Sequence, residues 1–198
     1  MAGVAVDGRV LRGARNREAI VDALLTLYAA GELRPTAQRV AEVAGVAARS
    51  VYHHFADMEG LIAEVSQHQL RDHGHLMEAP EVDGPLDTRV RALVTRRGEL
   101  FDAVAPVRRA ALLQAYRSPT VRRNLASLAR RLRQQLETLF APELDALLQS
   151  VRGELVDALD LLTSWEAWER LRVQQRLDAG RARNVLTDMI TNLLEEKR

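Results

Sequence analysis

The segment Arg49-Ser50-Val51-Tyr52-His53-His54-Phe55 sets five hydrogen-bonding side chains around two apolar ones. Val51 and Phe55 are four residues apart, the spacing that buries one face of a helix, so Arg49, Ser50, Tyr52, His53 and His54 are left on the outside. Such a face suits the major groove of DNA. A guanidinium matches the edge of guanine, hydroxyls and imidazoles reach bases, and phenol or imidazole groups meet phosphate. Other chemistries have weaker support. There is no cysteine, which excludes disulfides, thiolate metal sites and thiol nucleophiles. The chain has no nucleotide-binding glycine loop, nucleophile elbow or HExxH pattern, and its carboxylates are scattered among arginines, so no catalytic residue and no cofactor is expected. His68, His73 and His75 cluster, but Gly74 loosens their geometry and no thiolate joins them; no metal is expected.

A helix can present that face only if something holds it. In AQRVAEVAGVAARSVYHHF, read from Ala37, a small residue stands fifth (Ala41), glycine ninth (Gly45) and a β-branched residue fifteenth (Val51). Ala41 lets two helices cross closely, Gly45 permits a positive φ in the tight turn, and Val40, Val46 and Val51 fill the shared core. This is a helix-turn-helix hairpin. Thr36, after Pro35, is placed to cap its first helix. Ahead of it, Ile20, Leu24, Leu27 and Tyr28 give an amphipathic helix stopped by Gly31. Behind it, Asp57 can cap a fourth helix from Met58, with Leu61, Ile62 and Val65 inward, fading near Gly74. Met1–Ala14, with Arg9, Arg12 and Arg15, reads as a flexible basic arm.

From Arg17 to Val65, the residues Thr36, Val40-Ala41, Ala44-Gly45-Val46, Val51-Tyr52-His53-His54-Phe55 and Glu59-x-Leu61 resemble the TetR family of bacterial regulators. The resemblance implies an all-α fold with an N-terminal DNA-binding head, a larger helical body that binds an effector, and dimerisation through the last two long helices. It also implies that Thr36 and Tyr52 touch phosphate, that Ala48, Arg49 and Ser50 face bases, and that His54 touches backbone or base. Two positions depart from the family pattern. Ala47 stands where a capping Ser, Thr or Asp is usual, a loss of about 1 kcal/mol. Met58 stands where a phosphate-binding lysine is usual, which leaves Arg9, Arg12 and Arg15 to compensate from the minor groove.

The remainder is also helical in period, with few alternating β-branched runs. His73–Pro85, holding Gly74, Pro80, Gly84 and Pro85, reads as a linker, dividing a head of residues 1–72 from a body of residues 73–198. Helices are expected over Leu86–Val104, from Pro106 to Tyr116, from Ser118 to Phe140, over Glu143–Leu177, and over Arg181–Glu196 beyond a break at Gly180. Leu161, Trp165, Trp168 and Arg172 fall on one side, and Leu186, Met189, Ile190 and Leu193 on another, as two stripes able to pair with their symmetry mates in a homodimer. Phe101, Gln114, Tyr116, Trp165 and Trp168 are the expected lining of an effector pocket.

The formal charge of the 198 residues is only +1, and Lys197 is the one lysine beside many arginines, so bulk charge does not announce nucleic acid. The opening residues lack a signal-peptide core and no run is long enough for a membrane span, so a cytoplasmic protein with no membrane partner is expected. The expected function is regulation of transcription: a repressor on double-stranded operator DNA, released by a small molecule, and not an enzyme. The alternative is a helix-turn-helix regulator whose body docks a protein.

Overall fold

The computed structural model describes residues 8–196, all of whose regular elements are helical. They are α1 (Gly8–Ala29), α2 (Ala37–Ala44), α3 (Ala48–His54), α4 (Met58–His73), α5 (Leu86–Gln114), α6 (Pro119–Leu139), α7 (Ala141–Leu144), α8 (Gln149–Leu162), α9 (Trp165–Glu169) and α10 (Ala179–Glu196). A 3-10 turn, Gly74–Met77, follows α4, and a π turn, Arg170–Gln174, follows α9. The chain divides into two compact units, one of residues up to Asp72 with Val104–Arg122, the other of His73–Ala103 with residues from Arg123 onward.

In the first unit, Ile20, Leu24, Leu27, Val40, Val51, Leu61 and Val65 are buried together, each worth about 1.5–3 kcal/mol relative to exposure. Residues 104–122 pack here although they follow the 73–85 segment. Tyr28 receives a hydrogen bond from the Gln114 amide (3.4 Å), and burial pushes its phenol upward in pKa. Ser118 Oγ accepts from Val121 N (3.1 Å), capping α6 ahead of Pro119, and donates to Glu59 at 2.6 Å. The expected flexible arm is corrected: α1 already runs from Gly8, so Arg12 and Arg15 are helical, while residues 1–7 lie outside the described ones.

Several expected boundaries beyond α4 are corrected. Pro106 does not start a helix, because α5 continues through it. The missing N–H and ring clash cost about 3 kcal/mol, offset by burial on both sides of the proline, at Leu100, Phe101, Val104, Val107 and Ala110. The single helix expected over Glu143–Leu177 is broken. Ser164 Oγ accepts from Ala167 N (3.2 Å) and so starts α9, while the Thr163 hydroxyl bonds back to Leu159 O. Gly180 is no break; Asp178 Oδ1 accepts from Arg181 N (2.8 Å), and α10 begins at Ala179.

These breaks change which apolar residues face out. Leu161 is 67 % exposed although Trp165 and Trp168 are buried, and Met189 is 49 % exposed while Leu186 and Ile190 are core of the same unit. The Trp168 indole stacks so closely on α5 that a Cβ at Gly98 would come within 2.7 Å of it. Its N–H donates to Asp102 (2.8 Å), and Trp165 meets Phe101 edge-on at 5.9 Å.

Candidate nucleic-acid interface

Local sequence builds the hairpin. Thr36 Oγ1 accepts from Arg39 N (3.2 Å), and Gly45, at φ 66, ends α2 by donating its N–H to Ala41 O and Glu42 O. Any residue with a Cβ is strained at that φ, which fixes glycine there. Ala47 opens α3 with no side-chain cap, as its methyl group requires. Asp57 Oδ1 takes the Gly60 N–H at 2.8 Å and starts α4 at Met58.

Helix α3 lacks an N-terminal cap and is held from its other end. The Arg17 guanidinium of α1 donates to His54 O (2.9 Å) and to Glu64 of α4 (2.7 Å), and lies 4.5 Å from the centre of the Phe55 ring. A cation at the carbonyl end of a helix opposes its dipole, so one side chain ties three helices at the least capped element. Sequence reasoning did not assign Arg17 this role. Its only signal was a position one turn ahead of Ile20.

With Val51 and Phe55 buried, Arg49, Tyr52 and His53 face solvent, and Tyr52 is 62 % exposed. Ser50, Ala48 and His54 are half-buried at the edge of this face, and Thr36 is exposed. The seven DNA-binding positions read from the sequence therefore all lie on α3 or at the start of α2. The His53 and His54 rings meet at 5.3 Å in a T-shaped contact. Burial, then His53, then Arg17 pull the His54 imidazole below its ordinary pKa, so it is neutral near pH 7. A cleft of about 530 Å³ separates α3 from the first turns of α1, lined by Arg12, Gly13, Asn16, Arg49, Ser50, His53 and His54.

The expected effector residues are divided between the two units. Gln114 and Tyr116 belong to the first unit, where Gln114 lines a cleft of about 320 Å³ with Tyr28, Met58 and Glu59, and Tyr116 is 92 % exposed. Phe101, Trp165 and Trp168 belong to the second unit and are buried, Phe101 against Trp165 and Trp168 against Gly98. A different cavity of about 940 Å³ lies in that unit, between residues 79–86 and the corner of α6 and α7, with Arg89 and Glu143 in its wall. His68 Nδ1 stands 2.8 Å from Asp72, and among the described residues no three metal-ligating groups converge. No helix of the described residues is long and apolar enough to cross a membrane.

Residues 20–65 match the family model of bacterial regulatory proteins, tetR family. No functionally curated protein matches this sequence. Among solved structures, a tetR-family transcriptional regulator from Streptomyces coelicolor is similar with a TM-score of 0.71 at 19% identity, over 92% of this chain and 81% of that one. A TetR-family transcriptional regulator from Rhodococcus sp. is similar with a TM-score of 0.67 at 17% identity, over 90% and 98%. The multidrug binding protein EbrR, complexed with imidazole, is similar with a TM-score of 0.54 at 22% identity, over 88% and 94%. At these identities the likeness speaks for the fold.

Proposed function

We propose that this chain, whose residues 20–65 match the family model of bacterial regulatory proteins, tetR family, is a homodimeric, cytoplasmic repressor that binds double-stranded operator DNA and leaves it when a small molecule binds. The DNA-binding part of this reading is carried by one observation: α3 is fixed by Arg17 and presents Arg49, Tyr52 and His53 to solvent. In a major groove, Arg49 at the second position of the helix reaches base edges, while Tyr52 and Thr36 meet phosphate.

Selection of binding sites from random duplexes tests it. The wild-type protein is expected to select a two-fold symmetric site with half-sites about one helical turn apart. Arg49→Ala is expected to lose about 1–3 kcal/mol of discrimination at one position per half-site. An unchanged preferred sequence in the variant removes Arg49 from base reading.

Dimerisation takes its support from α8 and α10, which pack together and leave Leu161 and Met189 outward. Leu186 and Ile190 are core residues here, so charge at either unfolds the unit rather than testing the interface. Leu161→Arg with Met189→Arg is expected to give a folded monomer in sedimentation, with at least a tenfold loss of operator affinity. A double variant that sediments as a dimer places the interface elsewhere.

The effector part draws on the size of the second unit and on the multidrug binding of the similar EbrR. Room for a ligand exists in the 940 Å³ cavity rather than around Trp165 and Trp168. That filled tryptophan cluster also favours the second reading, a body that docks a protein. Operator release by an added protein, and by no small molecule, would select it.

A further inference from the structure

We infer that the cleft between the first turns of α1 and the recognition helix α3 is a phosphodiester site, in which Arg12 and Asn16 grip the DNA backbone beside the groove that Arg49 reads. The inference rests on the operator-binding reading and extends the interface to a helix that reading does not use. Arg12 and Asn16 stand four residues apart, so both project from one face of α1, and both are exposed. Across from them, Arg49 and His53 are exposed and Ser50 is half-buried. Every polar side chain lining the cleft is a cation or a potential hydrogen-bond donor, and none is acidic. That composition fits an anion, and the anion that stands beside a helix in the major groove is the strand's phosphate.

The cleft is also firm. Arg17, one turn beyond Gly13, joins α1 to the last carbonyl of α3 at 2.9 Å, so its two walls keep their spacing when DNA arrives. Gly13 leaves the floor open, since a Cβ there would approach nothing closer than His54 Cε1 at 4.0 Å. Because α1 is helical from Gly8, Arg12 is fixed beside α3 and takes phosphate rather than reaching into the minor groove as part of a loose arm.

Ethylation interference on the selected operator tests this, together with affinity measured as a function of salt. Arg12→Ala is expected to lose interference at one phosphate per half-site, to bind every sequence about tenfold more weakly, and to flatten the log–log salt slope by about one per half-site. Arg15→Ala, an exposed α1 arginine outside the cleft, is expected to keep the full interference pattern. Gly13→Glu, which sets a carboxylate in the cleft at a helical position tolerant of a side chain, is expected to weaken binding at least as much as Arg12→Ala. Thermal melting shows whether the variants fold. The inference is overturned if folded Arg12→Ala keeps every phosphate contact, or if Arg15→Ala flattens the slope equally, because binding is then diffuse attraction to positive charge. A wild-type protein that selects no duplex overturns the operator reading itself, and this inference with it.

Discussion

Glu143→Ala is expected to destabilise the protein by about 3–5 kcal/mol, the largest single loss we foresee outside the apolar core. Its carboxylate receives both terminal nitrogens of Arg89, at 2.9 and 2.5 Å, and the side chains are only 2 % and 11 % exposed. Arg89 also donates to Leu139 O (2.8 Å) and Gly84 O (3.2 Å) and lies 5.8 Å from the centre of the Phe140 ring, contacts that hold it in place when its partner goes. The Glu143 pair raises the pKa of Arg89 against an opposing effect of burial, and the cation therefore stays charged with nothing to balance it. Urea unfolding measures the loss. The double variant Arg89→Leu, Glu143→Leu should recover most of it, because a well-packed apolar pair can replace a buried ion pair at little cost. A midpoint for Glu143→Ala within experimental error of wild type would mean that water reaches Arg89 freely.

Arg97→Met is expected to act in the opposite direction, stabilising the protein by about 1–4 kcal/mol. Arg97 is 4 % exposed on α5, with one hydrogen bond, to Leu132 O at 2.7 Å, and a buried Nε that has no partner. Burial lowers its pKa to about 10, with only the charge of Asp160 working the other way. A fall of that size means about 3 kcal/mol held against the folded state at neutral pH. The sign follows from proton linkage. The unfolded chain binds this proton more tightly, so the penalty is full below the folded pKa and fades as pH rises above about 10 towards the ordinary arginine range. Methionine keeps the length and apolar stem of the side chain and removes the charge, and the Leu132 carbonyl retains its bond within α6. Melting temperature should rise by several degrees. A fall instead would show that the guanidinium holds α5 to α6 by more than the one bond.

Because the two arginines lie eight residues apart on one helix, the sequence presents them alike, yet one is hydrogen-bonded to a carboxylate and the other to a carbonyl. Only the partner brought from 54 residues away, Glu143, separates the cases.

What the sequence determined by itself was the punctuation of the reading head. Thr36, Gly45 and Asp57 act through bonds to backbone three or four residues away, and Ala47 fails to cap for an equally local reason. Val51 and Phe55 point inward by helical period alone, which leaves Arg49, Tyr52 and His53 outward and makes the candidate interface legible in advance. The start of α1 escaped because the residues before Arg17 look polar and lack an apolar stripe. Their partner is the cleft wall on α3, and Arg12 and Asn16 gain meaning only beside it.

Tertiary structure decided the rest. Burial on both sides of Pro106 outweighs its local cost, so α5 runs on where propensity predicts a start. A Ser164 cap turns the chain between Leu161 and Trp165, and a stripe that looks continuous at 3.6 residues per turn is divided into an exposed leucine and buried tryptophans. The same holds for α10, where Leu186, Met189 and Ile190 look equivalent until neighbouring helices cover two of them. The tryptophans and Phe101 were legible as apolar but not as pocket or core, since that depends on whether another helix fills the space in front of them, as α5 does at Gly98. Hydrogen bonds along the chain are written within a few residues, and burial is a sum over elements that meet only when the chain is folded.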